Sequence, residues 1–431
     1  MSINRGARAD LTIIKWVFGD PGKDGHCPAD GGDAFWSPSL SVPPRSVGCL
    51  AYRFEHRAVR YPSAASFLLG LPPVAGAAIA VNHAHIKPER VWPRDGLRLM
   101  HPDDTPHLEP IPVHAVGPAF PLETLQREEG RAHALIEAAT RHVPRTALRS
   151  LDAISRRWLA KQDSVHLPEI DAIAARLRRP GAYFLSVNYE WGCTCRVAPA
   201  SDHRSARLVR VLDWRTPGLG RHVVAARVAG AAGPFVTLTW PGYTGVLQGN
   251  APGRFAAALN QAPMRKPLGR FYLDWAVNRA RVWRMPHLTP AHLLREVFET
   301  ARDFAEARRM LSERPISTPS IFSLAGVKPY ETAIIERSET EARVHDGSNV
   351  TANHWQAPGW RGHPRGRDSI GRARQMHGVV PELDPRLAWL SPPILNENTR
   401  LVMIADAREG RLVAQGFEEM HAATAPLVLA A

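Results

Sequence analysis

Two cysteines separated by one residue, Cys193 and Cys195, open a stretch that also carries Arg210 and Asp213. A Cys thiol titrates near pH 8.5, so a base or a positive charge beside it must raise its thiolate fraction before it can act as a nucleophile. Blander readings compete. A buried Cys usually serves as a small hydrophobe, and Cys-x-Cys is too close for an easy disulfide within a strand. A zinc site would need a second Cys or His pair, which the stretch lacks. The surroundings favour chemistry. Gly192 precedes Cys193, and a residue without a Cβ suits a strained or cleavable backbone position. Arg210 and Asp213, three apart, fall on opposite faces of an ideal strand unless a bulge intervenes.

The elements around these residues read as a hairpin. A strand-like run from Ala182 to Tyr189 enters it, turn residues Pro199, Ser201 and Asp202 form its tip, and a second run from Arg207 to Trp214 leaves it. Upstream, Leu125, Ala132, Leu135, Ile136 and Ala139 mark the apolar stripe of one helix. Thr146 caps a second helix, with Leu148, Leu151, Ile154 and Trp158 on one face, and a third spans residues 168–177. Downstream, strands are expected at 221–228, 235–240, 245–248 and 254–260. Thr289 and Pro290 cap a helix that runs to about Leu311, with Glu299 and Asp303 on its solvated side. Further strands follow at 320–325, 332–336, 341–345, 349–355, 400–406 and 411–418.

The hairpin resembles the nucleophile region of the N-terminal-nucleophile cysteine hydrolases, the superfamily of acid ceramidase, N-acylethanolamine acid amidase, choloylglycine hydrolase and the penicillin acyltransferases. The likeness rests on Tyr189–Glu190, the triplet Cys193-Thr194-Cys195, and Arg210 and Asp213 with Trp214 on the next strand. It continues through the glycine-rich run from Trp240 to Pro263, which carries Asn260 near its end, and through Asn353 in VTANHW. DSIGR, with Ser369 and Arg372, resembles the family's Ser-x-x-Arg helix start, although Asp368 is a natural N-cap whatever the function.

The resemblance implies an α+β fold, the αββα sandwich of two antiparallel sheets between helical layers, preceded by a helical and loop-rich segment. It divides the chain into a loop-rich region 1–120, a helical lead-in 121–192 and a catalytic domain 193–431. It also implies self-cleavage at Gly192–Cys193, because in this superfamily the base is the nucleophile's own α-amino group, with a reference pKa of about 7.7–8.0. Arg210 would then hold developing negative charge, Asp213 would orient the α-ammonium, and Asn260 would donate to the oxyanion, with Asn353 and Arg372 as further site residues. The triplet points to Cys193 as nucleophile. Cys195, where the family carries Ser or Thr, is the alternative.

The expected activity is hydrolysis of a linear N-acyl amide through an acyl-enzyme, with no cofactor, no metal and a two-chain form held together non-covalently. Two other classes are compatible with the sequence: an acyltransferase of the same superfamily, or a non-catalytic basic protein that binds anions or nucleic acid. The net charge of +13 invites the last, but the bases are scattered among acids, and the dense cluster is confined to residues 361–374, so no nucleic-acid partner is expected. Four cysteines make no disulfide framework, and residues 1–10 lack an apolar signal core, so a soluble, cytoplasmic protein is expected. The apolar run 67–81 is broken by Pro72–Pro73 and too short to span a membrane. His83, His85, His101, His107 and His114 read as loop histidines rather than metal ligands.

Overall fold

Residues 206–214 change environment at every second position, as a strand lying between two layers must. Ala206, Leu208, Leu212 and Trp214 join one buried cluster, while Val209 and Val211 join another. Leu401, Met403 and Ala405 divide from Val402 and Ile404 in the same way. The computed structural model describes residues 108–141, 143–161, 164–187 and 191–430.

In chain order the described elements begin with strand β1 (Val113–Val116) and helices α1 (Phe120–Arg127), α2 (Glu129–Thr140), α3 (Arg145–Lys161), α4 (Leu167–Leu177) and α5 (Ala182–Ser186). The hairpin β2 (Trp191–Pro199) and β3 (Ala206–Trp214) follows, then β4 (Val224–Gly230), β5 (Gly233–Thr239), β6 (Gln248–Ala251), β7 (Phe255–Gln261) and β8 (Met264–Arg265). Helices α6 (Phe271–Val282), α7 (Pro290–Thr300) and α8 (Phe304–Glu313) precede β9 (Ser320–Ala325), β10 (Thr332–Arg337), β11 (Ala342–Asp346), β12 (Asn349–Thr351) and β13 (Gly362–His363). Helix α9 (Ser369–Met376) leads to β14 (Thr399–Asp406), β15 (Arg411–Glu418), β16 (His421–Ala422) and β17 (Leu427–Leu429).

Among the described residues the strands form two large sheets. One has the order β1-β4-β5-β6-β7-β9-β10-β11, antiparallel except for the parallel β1–β4 pair. The other has the order β12-β2-β3-β14-β15-β16, with β17 beside β15. The apolar faces meet in one core in which Cys193, Leu208 and Leu212 join Leu259 and Phe322. Helix α7 covers the first sheet, its Phe298 ring 5.2 Å from those of both Phe235 and Phe255. Helix α9 covers the second, burying Ala373 and Met376 with Val209 and Val211. This is the αββα layering that the sequence led us to expect.

Several local expectations are corrected. Residues 182–186 are a helical turn rather than an entering strand: Leu185 N donates to Gly181 O and Ser186 Oγ to Ala182 O. A short apolar run fits either structure, and packing of Leu185 against Leu148 decides for the helix. The first expected helix is two, broken at Glu128, whose backbone is non-helical. The helix capped by Thr289 ends at Thr300, and Asp303 caps a new one by accepting from Glu306 N. Asp303 therefore shares no outer face with Glu299, which pairs with Arg295 at 2.8 Å. Ile154 is exposed, and Ser155 and Leu159 turn inward instead. The strand expected over 349–355 stops at Thr351. Strand β1 falls within the segment called loop-rich, and helix α6 has no counterpart in the sequence reading. The histidines at 83, 85, 101 and 107, the apolar run 67–81 and the pair Tyr189–Glu190 lie outside the described residues. Among the described residues no helix is long and apolar enough to cross a membrane.

Candidate active site

The β2–β3 register sets the geometry. Cys195 pairs with Arg210, Cys193 with Leu212 and Gly192 with Asp213. Directly opposed residues project to the same side of a sheet, so Cys193, Cys195 and Arg210 face the space between the sheets. Gly192 and Asp213 face helix α9. The opposite-face placement of Arg210 and Asp213 is therefore observed, and the hairpin carries no bulge between them.

Arg210 reaches across both thiols. Its Nη2 lies 3.1 Å from Cys193 Sγ, and its Nη1 lies 3.7 Å from Cys195 Sγ and 2.9 Å from Asn260 Oδ1. The residue is buried, its Nε has no partner, and no carboxylate pairs with it among the described residues. A buried cation without a counter-ion draws negative charge onto whatever faces it, and here that is the Cys193 sulfur. Burial acts the other way and prevails in the intact chain. It pushes the Cys193 thiol up to about 12, with the Arg210 charge opposing the shift, and it raises Cys195 as well.

Cys193 is also held through its backbone. Its N–H donates to Asn353 Oδ1 at 2.7 Å, and its carbonyl accepts from Arg372 Nη1 at 2.7 Å. Arg372 donates further to Thr194 Oγ1 at 2.6 Å and Asn353 Oδ1 at 3.0 Å, and its Nη1 lies 3.4 Å from Asp213 Oδ2. Helix α9 aims this guanidinium at the strand. Asp368 caps the helix by accepting from Gly371 N, while Ser369 Oγ accepts from Asn353 N at 2.8 Å. The early end of β12 thus has a consequence, because leaving the sheet after Thr351 lets Asn353 turn toward Cys193. Asn353 Nδ2 is engaged with Gln261 O.

Asp213 Oδ1 accepts from Thr399 Oγ1 at 2.9 Å, whereas Oδ2 accepts no hydrogen bond. Burial raises its pKa and the Arg372 charge opposes that. Asn260 stands beside the other cysteine: its Oδ1 is 3.0 Å from Cys195 Sγ, and its Nδ2 donates to Ala352 O. Gly192 adopts an ordinary strand backbone, so its conformation is not the strained one anticipated. A Cβ there would sit 3.4 Å from both Asp213 Cβ and Gly366 Cα, an ordinary contact, so neither the backbone dihedrals nor a clash requires a glycine at this position.

Cys193, Cys195, Arg210, Asp213, Asn260, Asn353 and Arg372, all singled out in the sequence, thus converge on one buried cluster. Sequence reasoning missed Thr399, which holds Asp213, and Gln261, whose backbone carbonyl holds Asn353. Thr399 opens a strand whose start was placed one residue later, and Gln261 directly follows Asn260, so neighbourhood was the available signal. Among the described residues no group of three or more His, Cys, Asp or Glu could hold a metal ion.

No family model matches the chain. An N-acylethanolamine-hydrolyzing acid amidase of Caenorhabditis elegans is 27% identical over 118 residues, which is 27% of this chain and 31% of the relative. Human acid ceramidase is 30% identical over 111 residues, 25% of this chain and 26% of the relative. The chain thus matches less than a third of the length of either curated relative. Among solved structures, the C. elegans N-acylethanolamine-hydrolyzing acid amidase ortholog aligns at a TM-score of 0.40 with 21% identity, covering 49% of this chain and 92% of that one. A single-residue mutant of conjugated bile acid hydrolase from Clostridium perfringens aligns at 0.31 with 9% identity, covering 55% and 92%. In sequence the chain is thus similar, over about a quarter of its length, to an acid amidase and a ceramidase.

Proposed function

We propose that this protein is an amidohydrolase that cleaves linear N-acyl amides with Cys193 as nucleophile, after cutting its own chain between Gly192 and Cys193. The observation that carries the reading is the double grip on Cys193: Arg210 Nη2 at 3.1 Å from its sulfur and Asn353 Oδ1 at 2.7 Å from its backbone nitrogen. One residue thereby presents both a thiol that faces a guanidinium and an anchored nitrogen, the two groups that a self-contained nucleophile and base require.

In self-cleavage the Cys193 sulfur attacks the Gly192 carbonyl carbon, the C–N bond breaks, and the nitrogen takes up a proton. Water then hydrolyses the thioester, leaving a Gly192 carboxylate and a free α-amino group on Cys193. That amine takes the thiol proton when substrate binds. Asn353 Oδ1 accepts from the amine, and Asp213, whose Oδ2 lies 3.4 Å from Arg372 Nη1, supplies negative charge from the same side of the hairpin. The sulfur attacks the substrate carbonyl, the amine returns the proton to the leaving nitrogen, and water releases the acyl group. Arg210 balances the charge that develops at sulfur. Removal of a single oxyanion donor in such chemistry typically costs roughly 2.7–4 kcal/mol, and Asn260 is the side-chain candidate for that role. In the intact chain its Nδ2 is held by Ala352 O, so this role requires it to turn after cleavage.

A linear amide with an apolar acyl chain is the substrate class, in keeping with the two sequence relatives, one named for N-acylethanolamines and the other a ceramidase. Intact mass and N-terminal sequencing of purified protein should give one fragment ending at Gly192 and one beginning at Cys193. Amine release from a panel of N-acyl ethanolamines and N-acyl amino acids should vanish in Cys193→Ala and persist at least in part in Cys195→Ala. A fragment beginning at Cys195, with activity lost in Cys195→Ala, would move the nucleophile. An active chain that stays intact would overturn the mechanism.

A further inference from the structure

One serine hydroxyl at the start of helix α9 holds two consecutive residues of the loop that follows β12. Ser369 Oγ accepts from Asn353 N at 2.8 Å and lies 2.8 Å from His354 Nδ1. Ser369 is buried, so its hydroxyl must be satisfied inside the fold. One oxygen lone pair takes the Asn353 N–H. The hydroxyl proton has one acceptor within reach among the described residues, the His354 ring nitrogen. That bond sets the state of the ring: Nδ1 accepts, and the single ring proton sits on Nε2. Burial lowers the pKa of His354, Glu336 opposes the shift and Arg372 adds to it, so the surroundings favour the same neutral form.

The other end of this bond network is the Cys193 backbone. Asn353 Oδ1 accepts from Cys193 N at 2.7 Å and from Arg372 Nη2 at 3.0 Å. The Asn353 carbonyl is held by Arg365 N at 3.1 Å, which leaves the Ser369 hydroxyl to hold its N–H. Three residues on, the loop is fastened again, where the buried Glu336 carboxylate of β10 accepts from Gln356 N and Ala357 N, each at 2.7 Å. A hydroxyl can rotate about its C–O bond, so its lone pair stays on Asn353 N only while its proton is engaged elsewhere.

We propose that His354 is a positioning residue: by accepting the Ser369 hydroxyl proton it fixes that oxygen on Asn353 N, and so sets the Asn353 side chain against the Cys193 nitrogen. The link runs from His354 through Ser369 and Asn353 to Cys193, and His354 itself touches no reacting atom. Without the ring acceptor, a buried hydroxyl must turn to find another partner, and the Asn353 backbone loses its anchor. The consequence for self-cleavage rests on the function proposed above; the link itself does not.

Two substitutions separate the ring's acceptor from its bulk. Asn carries its amide oxygen where Nδ1 stands, whereas Leu offers no acceptor. His354→Leu should slow the appearance of fragments by about tenfold or more, and His354→Asn should restore most of the rate, with similar melting temperatures in the two. Hydrogen exchange reads the link without cleavage. In a chain kept intact by Cys193→Ala, His354→Leu should speed exchange of the residue 193 amide by about tenfold. Ser369→Ala should speed it as much, and the two together no further. Processing at the wild-type rate in His354→Leu, or equal loss in the Leu and Asn variants, would overturn the positioning role. A wild-type chain that stays uncleaved defeats the self-cleaving reading alone. The exchange rate then decides the link: faster exchange in His354→Leu supports it, and an unchanged rate overturns it.

Discussion

Arg210 is a buried cation whose partners are two thiols and a carboxamide. Replacing a buried charge by an apolar group of similar volume is often neutral or stabilising, because the desolvation penalty goes with it. Arg210→Met should therefore keep or raise the melting temperature and lower self-processing by about a hundredfold or more. A folded variant that processes normally would remove Arg210 from the chemistry. Cys193 gives a pH prediction. Its thiol in the intact fold titrates near 12 because of burial, whereas the unfolded chain titrates near its ordinary value. The unfolded state thus loses its proton first as pH rises, so this residue's contribution to stability is intact below the ordinary thiol pKa and declines between there and about 12. In a chain kept uncleaved, Cys193→Ala should melt with a shallower alkaline decline than wild type. A decline of equal slope in the two would contradict the buried, protonated thiol.

Helix α9 is the element that points Arg372 at Cys193, and its N-cap is unusual. Asp368 caps it from a left-handed backbone conformation at φ 38°. Substituting a capping Asp by Ala costs about 0.5–2 kcal/mol, and by Gly only a few tenths. Here Gly also relieves the left-handed strain. Asp368→Ala should lower the melting temperature by several degrees and slow processing, while Asp368→Gly should do neither to the same extent. Equal effects would mean that the cap does not position Arg372. Much of this element was legible beforehand, since Asp368 reads as an N-cap. Its target was not, because Cys193 lies far away in sequence.

At the scale of the whole molecule, the segments on either side of Gly192 share one core. Strand β1 pairs with β4, and Phe120 packs edge-on against Phe235 at 6.5 Å. Arg295 of helix α7 binds Glu169 of α4 at 2.5 Å and the Pro118 carbonyl at 3.0 Å, under the Phe120 ring. Cutting at Gly192 breaks none of these contacts. The two fragments should therefore co-elute in native buffer and separate only in denaturant. Arg295→Met leaves the half-buried Glu169 without its partner and should let the fragments dissociate at lower denaturant. Fragments that part in native buffer without the substitution would contradict the shared core.

The sequence by itself determined what local spacing controls: strand β3, the strands over 320–325 and 411–418, and the cap at Thr289, while the residues that converge were reached through the family resemblance. Alternation of period two and capping chemistry operate over a few residues, so a single chain displays them. What the tertiary structure decided depends on contacts that no short window holds. It turned the apolar run at 182 into a helix by packing Leu185 on Leu148. It also ended the strand at Thr351 so that Asn353 meets the Cys193 backbone, and it gave Asn260 to Cys195 rather than to Cys193. Each outcome was settled by which residue lies opposite across the sandwich, a relation between segments that are far apart in the chain.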